Sequence, residues 1–171
     1  MDTPMTFHMW LVVAVTFILG VEFYHLISVI WKLKVRKNVL RYRQNLFRYT
    51  EARYSKIPKD QFVMGKGIWN NDCHKNAVQA LKDGIAEKII MCMCFAQTDI
   101  FVHYINVDND GKYVDNTFGW EYMRYDYYFI REIQPDEYPS LPYYITSMND
   151  KNINHHSKWP FRKAVRKATS V

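Results

Sequence analysis

The sequence predicts an α+β chain in which a long apolar helix at the N-terminus precedes one small domain, a helix packed on an antiparallel sheet. Three observations carry that expectation. Residues 9–31 are apolar over a length that crosses a hydrocarbon core. Cys73–Lys82 has helix composition between Asp72 or Asn71 as candidate caps and Gly84 as a stop. Two apolar, β-branched and aromatic runs then follow, and a DNDG turn comes after the second. With 171 residues there is room for one domain and an anchor. A composition 49% hydrophobic and 16% aromatic excludes intrinsic disorder for most of the chain, because that much apolar surface has to be buried.

Residues 1–8 read as a short extracytoplasmic N-terminus, and residues 9–31 as a transmembrane helix without a polar stripe from Met9 to Val21 apart from Thr16. No basic start or small-residue cleavage site marks it as a removable signal. Glu22 and His25 lie three apart on one helical face, so they snorkel to the inner interface or meet a partner helix. No lysine or arginine precedes the run, whereas Lys32, Lys34, Arg36, Lys37, Arg41, Arg43, Arg48 and Arg53 follow it. Positive flanks stay in the cytoplasm, so the C-terminal domain is expected there. Residues 32–57 then read as a basic juxtamembrane stalk helix, stopped by Pro58. The net charge of +6 is concentrated here and at the C-terminus, and beside a membrane it fits anionic headgroups better than nucleic acid.

Residues 58–148 form the expected α+β domain. The Gly65–Gly67 turn precedes the 73–82 helix, and strands are expected over 88–97, 100–107, 112–118 and 125–133. Alternation along Arg124–Phe129 points to packing rather than base stacking. Residues 135–144, PDEYPSLPYY, read as a proline-punctuated loop or short helix, and residues 149–171 as a basic, flexible or weakly helical tail that includes His155 and His156. The three cysteines, Cys73, Cys92 and Cys94, do not suit a disulfide scaffold and fit a reducing compartment.

One constellation carries chemistry. A thiol at a helix N-terminus faces unpaired N–H groups and the positive end of the dipole, which favour the thiolate, and Cys73 is expected there. His103, on a strand that can pack against that helix, can accept and later deliver the thiol proton. Asp115 or Asn116, on the return strand beside His103, can orient the imidazole. Zinc binding by Cys73, His74, Cys92, Cys94 and His103 is the competing reading, but the paired two-residue spacing of a zinc site is missing, so no metal or cofactor is expected.

The stretches WNNDCHKNA at Trp69–Ala77 and VHYINVDNDGKYVDNT at Val102–Thr117 resemble the papain-like and transglutaminase-like cysteine hydrolases, in their small bacterial or phage-like branch. The resemblance covers about Trp69–Gly119. It implies a papain-like core with Cys73 as nucleophile, His103 as base and Asp115 as the orienting residue. The family places an oxyanion donor upstream of the cysteine, for which Asn70, Asn71 and Gln61 are the candidates here. The expected activity is thiol-dependent hydrolysis or acyl transfer at an amide or ester bond of a protein or peptide substrate. The alternative is a non-catalytic membrane-tethered interaction or assembly protein, with a decayed site and with Glu22 and His25 contacting a partner.

Overall fold

A computed structural model describes residues 7–70, 72–96 and 100–169. Residues 1–6, Asn71, Gln97 at the expected end of a strand, and the last two residues of the tail lie outside the described residues.

Helix α1 runs without interruption over Phe7–Arg53. Residues 9–27 are exposed throughout, with large side chains such as Phe17 and Tyr24 more than 70% open, and the helix is long and apolar enough to cross a membrane. Glu22 and His25 are exposed on this stretch. The second half of α1 is different. Val39, Tyr42, Leu46 and Thr50 are buried at steps of three and four residues, which places them on one face of the helix. That face packs into the domain core, with Phe47 edge-on to Phe95 at 4.9 Å. Residues 32–57 are therefore no free-standing stalk, because one face of the helix belongs to the core.

The sheet has five strands in the order β1-β4-β3-β2-β5, with β1 Phe62–Met64, β2 Lys88–Phe95, β3 Ile100–Val107, β4 Tyr113–Asp115 and β5 Asp126–Ile133. β2 pairs antiparallel with β3 and with β5, and β3 antiparallel with β4. β1 pairs parallel with β4, so the sheet is mixed rather than antiparallel. Three residues are too few to show alternation in a sequence. What holds β1 at this edge is Phe62, whose ring lies 4.8 Å from Tyr127 and 5.2 Å from Tyr122.

Alternation along β2 gives the sheet two apolar faces. Ile89, Met91, Met93 and Phe95 face α1, α2 (Cys73–Lys82) and the C-terminal helices, whereas Ile90, Cys92 and Cys94 face Ile57, Phe62 and Tyr127. At the end of α2 the Gly84 N–H donates to Leu81 O and the Ile85 N–H to Ala80 O. This Schellman closure needs the positive φ of +70° that Gly84 supplies. At the other end Asp72 occupies the cap position, but its carboxylate makes no cap bond and pairs with Lys75 at 3.0 Å.

Residues 149–169 also depart from expectation. Helix α3, Leu141–His156, and helix α4, Arg162–Thr169, are joined by a 3₁₀ turn at Trp159–Phe161. Leu141, Ile153 and Val165 are each at most 2% exposed in the core that α1 completes. The sparse apolar residues of this segment suffice because each one is buried. Tyr104 donates its hydroxyl to Leu141 O at 3.0 Å, tying the start of α3 to the sheet.

Candidate active site

β4 pairs with β3 only at Asn106 and Val107, so the 100–105 stretch of β3 has no strand neighbour on that side. The chain beyond β4 turns sharply over this gap, and the Gly65–Gly67 segment lies against the turn. A side chain at Gly65 would stand 2.2 Å from Asp115 O, and one at Gly119 2.7 Å from Gly67 Cα. That close backbone approach is what the glycines permit.

His103 and Asp115 project to the Tyr127 side of the sheet, and Cys73 arrives from the first turn of α2. The three meet at this gap. His103 Nε2 lies 2.9 Å from Asp115 Oδ2, and both side chains are almost fully buried. The ring stacks on Phe118 at 4.7 Å and is met edge-on by Phe101 at 5.8 Å, which fixes its plane. Cys73 and His103 line the same cavity, and the Cys73 charge acts on the ring. With Nε2 committed to Asp115, Nδ1 is the nitrogen left to face sulfur.

Asp115 has four donors. Oδ2 accepts from His103 and from the Tyr127 hydroxyl at 2.7 Å, and Oδ1 accepts the N–H groups of Thr117 and Phe118, each at 2.9 Å. Burial pushes this carboxyl up, but His103 and the hydrogen bonds outweigh it and hold Asp115 below the usual carboxylate range. Burial likewise works against a charged His103 ring, yet the charges of Asp115 and of a Cys73 thiolate hold it well above the ordinary imidazole value. Burial and the Asp115 charge keep the Tyr127 hydroxyl protonated, so it donates.

A polar network sets the start of α2 against the end of β4. Asn76, one turn beyond Cys73, donates to Thr117 Oγ1 at 3.0 Å and to Asn70 Oδ1 at 2.8 Å. Asn106 donates to Ala77 O at 3.1 Å and accepts from Asn116 at 3.1 Å. Asn116 is thus structural, and Asp115 is the residue that reaches His103. Neither Asn76 nor Tyr127 announces this role in the sequence. The nearest signal is that Asn76 falls three residues after Cys73, on the same side of the helix.

Cys73, His103, Phe101, Phe118, Ile145 and Ile153 are among the residues lining a cavity of about 490 Å³, whose outer wall includes Asp150, Arg166 and Thr169 of α3 and α4. Arg166 closes on Asp150 at 2.7 Å. Of the upstream oxyanion candidates, Asn70 is spent on Asn76 and on the Asp72 N–H, Gln61 is exposed and does not line the cavity, and Asn71 lies outside the described residues. The Cys73 N–H, in the first turn of α2, belongs to the backbone donors that a helix leaves unpaired.

Cys92 and Cys94 are fully buried with their sulfurs 3.8 Å apart on the Tyr127 face, and burial pushes the Cys94 thiol well up. His74 lines a separate surface pocket with Tyr138 and Leu141. Among the described residues no three His, Cys, Asp or Glu side chains are grouped to hold a metal ion. Set against protein-family models, curated proteins and solved structures, the chain matches none, so the chemistry of the site rests on its own residues.

Proposed function

We propose that the chain is a membrane-anchored thiol hydrolase or acyltransferase of papain-like arrangement, acting on amide or ester carbonyls through Cys73, His103 and Asp115. The observation that carries this reading is the buried Asp115 carboxylate. It is saturated by four donors, one of them His103 Nε2, which leaves the other ring nitrogen for the thiol. A carboxylate so held favours the imidazolium, and the imidazolium favours the thiolate.

In the proposed reaction the Cys73 thiolate adds to the carbonyl carbon, and the Cys73 N–H helps to hold the oxyanion. His103 gives its Nδ1 proton to the departing amine or alcohol, which leaves a thioester on Cys73. The neutral ring then takes a proton from water or from a second acceptor, whose attack releases the acyl group and restores the thiolate.

The anchor supports the other half of the proposal. From Met9 to Ile27 the side chains are exposed, while the helix that bears them continues into the core, which supports an anchor that the domain retains. The basic flank beyond Trp31 supports a cytoplasmic domain and contact with anionic lipid.

The test is labelling by a thiol-reactive probe on the full chain in vesicles. Wild type should label at Cys73 at neutral pH, Cys73→Ala should not, and His103→Gln should label at least tenfold more slowly. Cys92 and Cys94, fully enclosed where Cys73 lines the cavity, serve as the internal control. Equal rates in wild type and His103→Gln would refute the catalytic reading and leave the non-catalytic tethered protein in its place.

A further inference from the structure

The domain does not hang below the anchor at a distance. The Phe161 ring stacks on Trp31, the last residue of the apolar run, with centroids 5.5 Å apart and planes 26° from parallel. One turn further on, Val35 already packs against the core. The turn that joins α3 to α4 is therefore held at the level where α1 stops being apolar.

Two features of this corner are unusual for an ordinary solvent-facing surface. Trp159 is 79% exposed, more than any apolar side chain of the span, of which Tyr24 at 73% is the most open. The charge is also one-sided, because no acidic residue occurs between Glu22 and Glu51 or anywhere after Asp150. Lys158 and Lys163 flank the turn and are exposed, as are Lys32 and Lys34 on α1 beside it. Arg162 is committed inward, donating to Asn154 O at 2.7 Å. Tryptophan with lysine at the end of an apolar helix is the composition of a membrane–water interface.

We infer that the Lys158–Lys163 corner is a second membrane-contact element, which seats Trp159 among the headgroups of an anionic bilayer with Lys158 and Lys163 on lipid phosphates. The inference rests on the reading of residues 9–31 as a span. Its consequence reaches the site, because Arg166 and Thr169, which wall the Cys73 cavity, follow Arg162 on α4 within about 12 Å of helix rise. Docking would hold that wall of the cavity at the lipid surface.

The full chain reconstituted in vesicles tests this with two tryptophan quenchers: phospholipid brominated on its acyl chains, and iodide in the water. The Trp159 signal is the difference between wild type and Trp159→Phe, and the span's signal is the difference between wild type and the Trp10→Phe, Trp31→Phe double variant. In vesicles rich in phosphatidylglycerol, brominated lipid should quench most of the Trp159 signal and iodide little of it. The Lys158→Glu, Lys163→Glu variant should reverse that order. If iodide reaches Trp159 while brominated lipid quenches only the span, the span stands and the docking corner is overturned. If brominated lipid reaches neither, the span reading fails and the corner with it. Equal protection of Trp159 in pure phosphatidylcholine would overturn the role given to the lysines.

Discussion

Replacing Tyr127 with Phe removes one oxygen from the site and leaves the ring that packs on Phe62 at 4.8 Å. The lost contact is the 2.7 Å hydrogen bond to Asp115 Oδ2, donated by a buried hydroxyl to a buried carboxylate. Hydrogen bonds to a charged acceptor contribute about 1.5–3 kcal/mol. Three donors remain on Asp115, and both partners of the lost bond are fully buried, so the full range applies. For a chain of this size the loss corresponds to a fall of about 3–12 °C in Tm. Asp115 is held below the ordinary carboxyl value, so its stabilising contribution is complete at neutral pH and disappears as pH falls through its folded pKa. The gap between wild type and Tyr127→Phe should accordingly be widest near pH 7 and close in acid. Denaturant titrations of both proteins in the same detergent, at neutral and acid pH, measure it. A gap under about 0.5 kcal/mol at pH 7, or one that widens in acid, would refute the assignment of Tyr127 as a support of the charged carboxylate.

Two further outcomes are expected. Leu46→Ala should destabilise the domain by about 2–5 kcal/mol in equilibrium denaturation, whereas Leu40→Ala, on the exposed side of the same helix, should stay within about 0.5 kcal/mol; equal effects would mean that α1 is not part of the core. His103 is opposed by burial but lifted well above the ordinary imidazole value by Asp115 and Cys73, so its contribution to stability is complete below about pH 6.5 and is lost as pH rises through its folded pKa. Cys73→Ala removes one of the lifting charges, and the alkaline loss of stability should begin at lower pH than in wild type; an unmoved limb would separate the thiol from the ring.

What the sequence disclosed follows the range of the interactions involved. α2 and β3 match their expected bounds, because a glycine stop and apolar runs are local signals. The approach of Asp115 to His103 was also legible, since a hairpin fixes which residues stand side by side. Tyr127 was not, because its approach to Asp115 depends on β5 lying beyond β2, on the far side from β4, an ordering no local pattern encodes. The inner face of α1 was present in the spacing of Val39, Tyr42, Leu46 and Thr50 but was masked by the surrounding arginines and lysines. The helices after Leu141 were hidden for a related reason: Ile153 and Val165 count as core only once α1 is in place.

From Val21 to Ile57 there is neither glycine nor proline, and α1 is helical without a break as far as Arg53. The anchor and the domain thus share one stiff rod with no joint between them. On the reading that its first half lies in a bilayer, any change in its tilt swings the whole domain as a lever. Transmembrane helices adjust their tilt to bilayer thickness, with an average near 20°. Membrane thickness would then set the angle at which the cleft meets its surroundings, and a flexible linker inserted after Trp31 would uncouple the two.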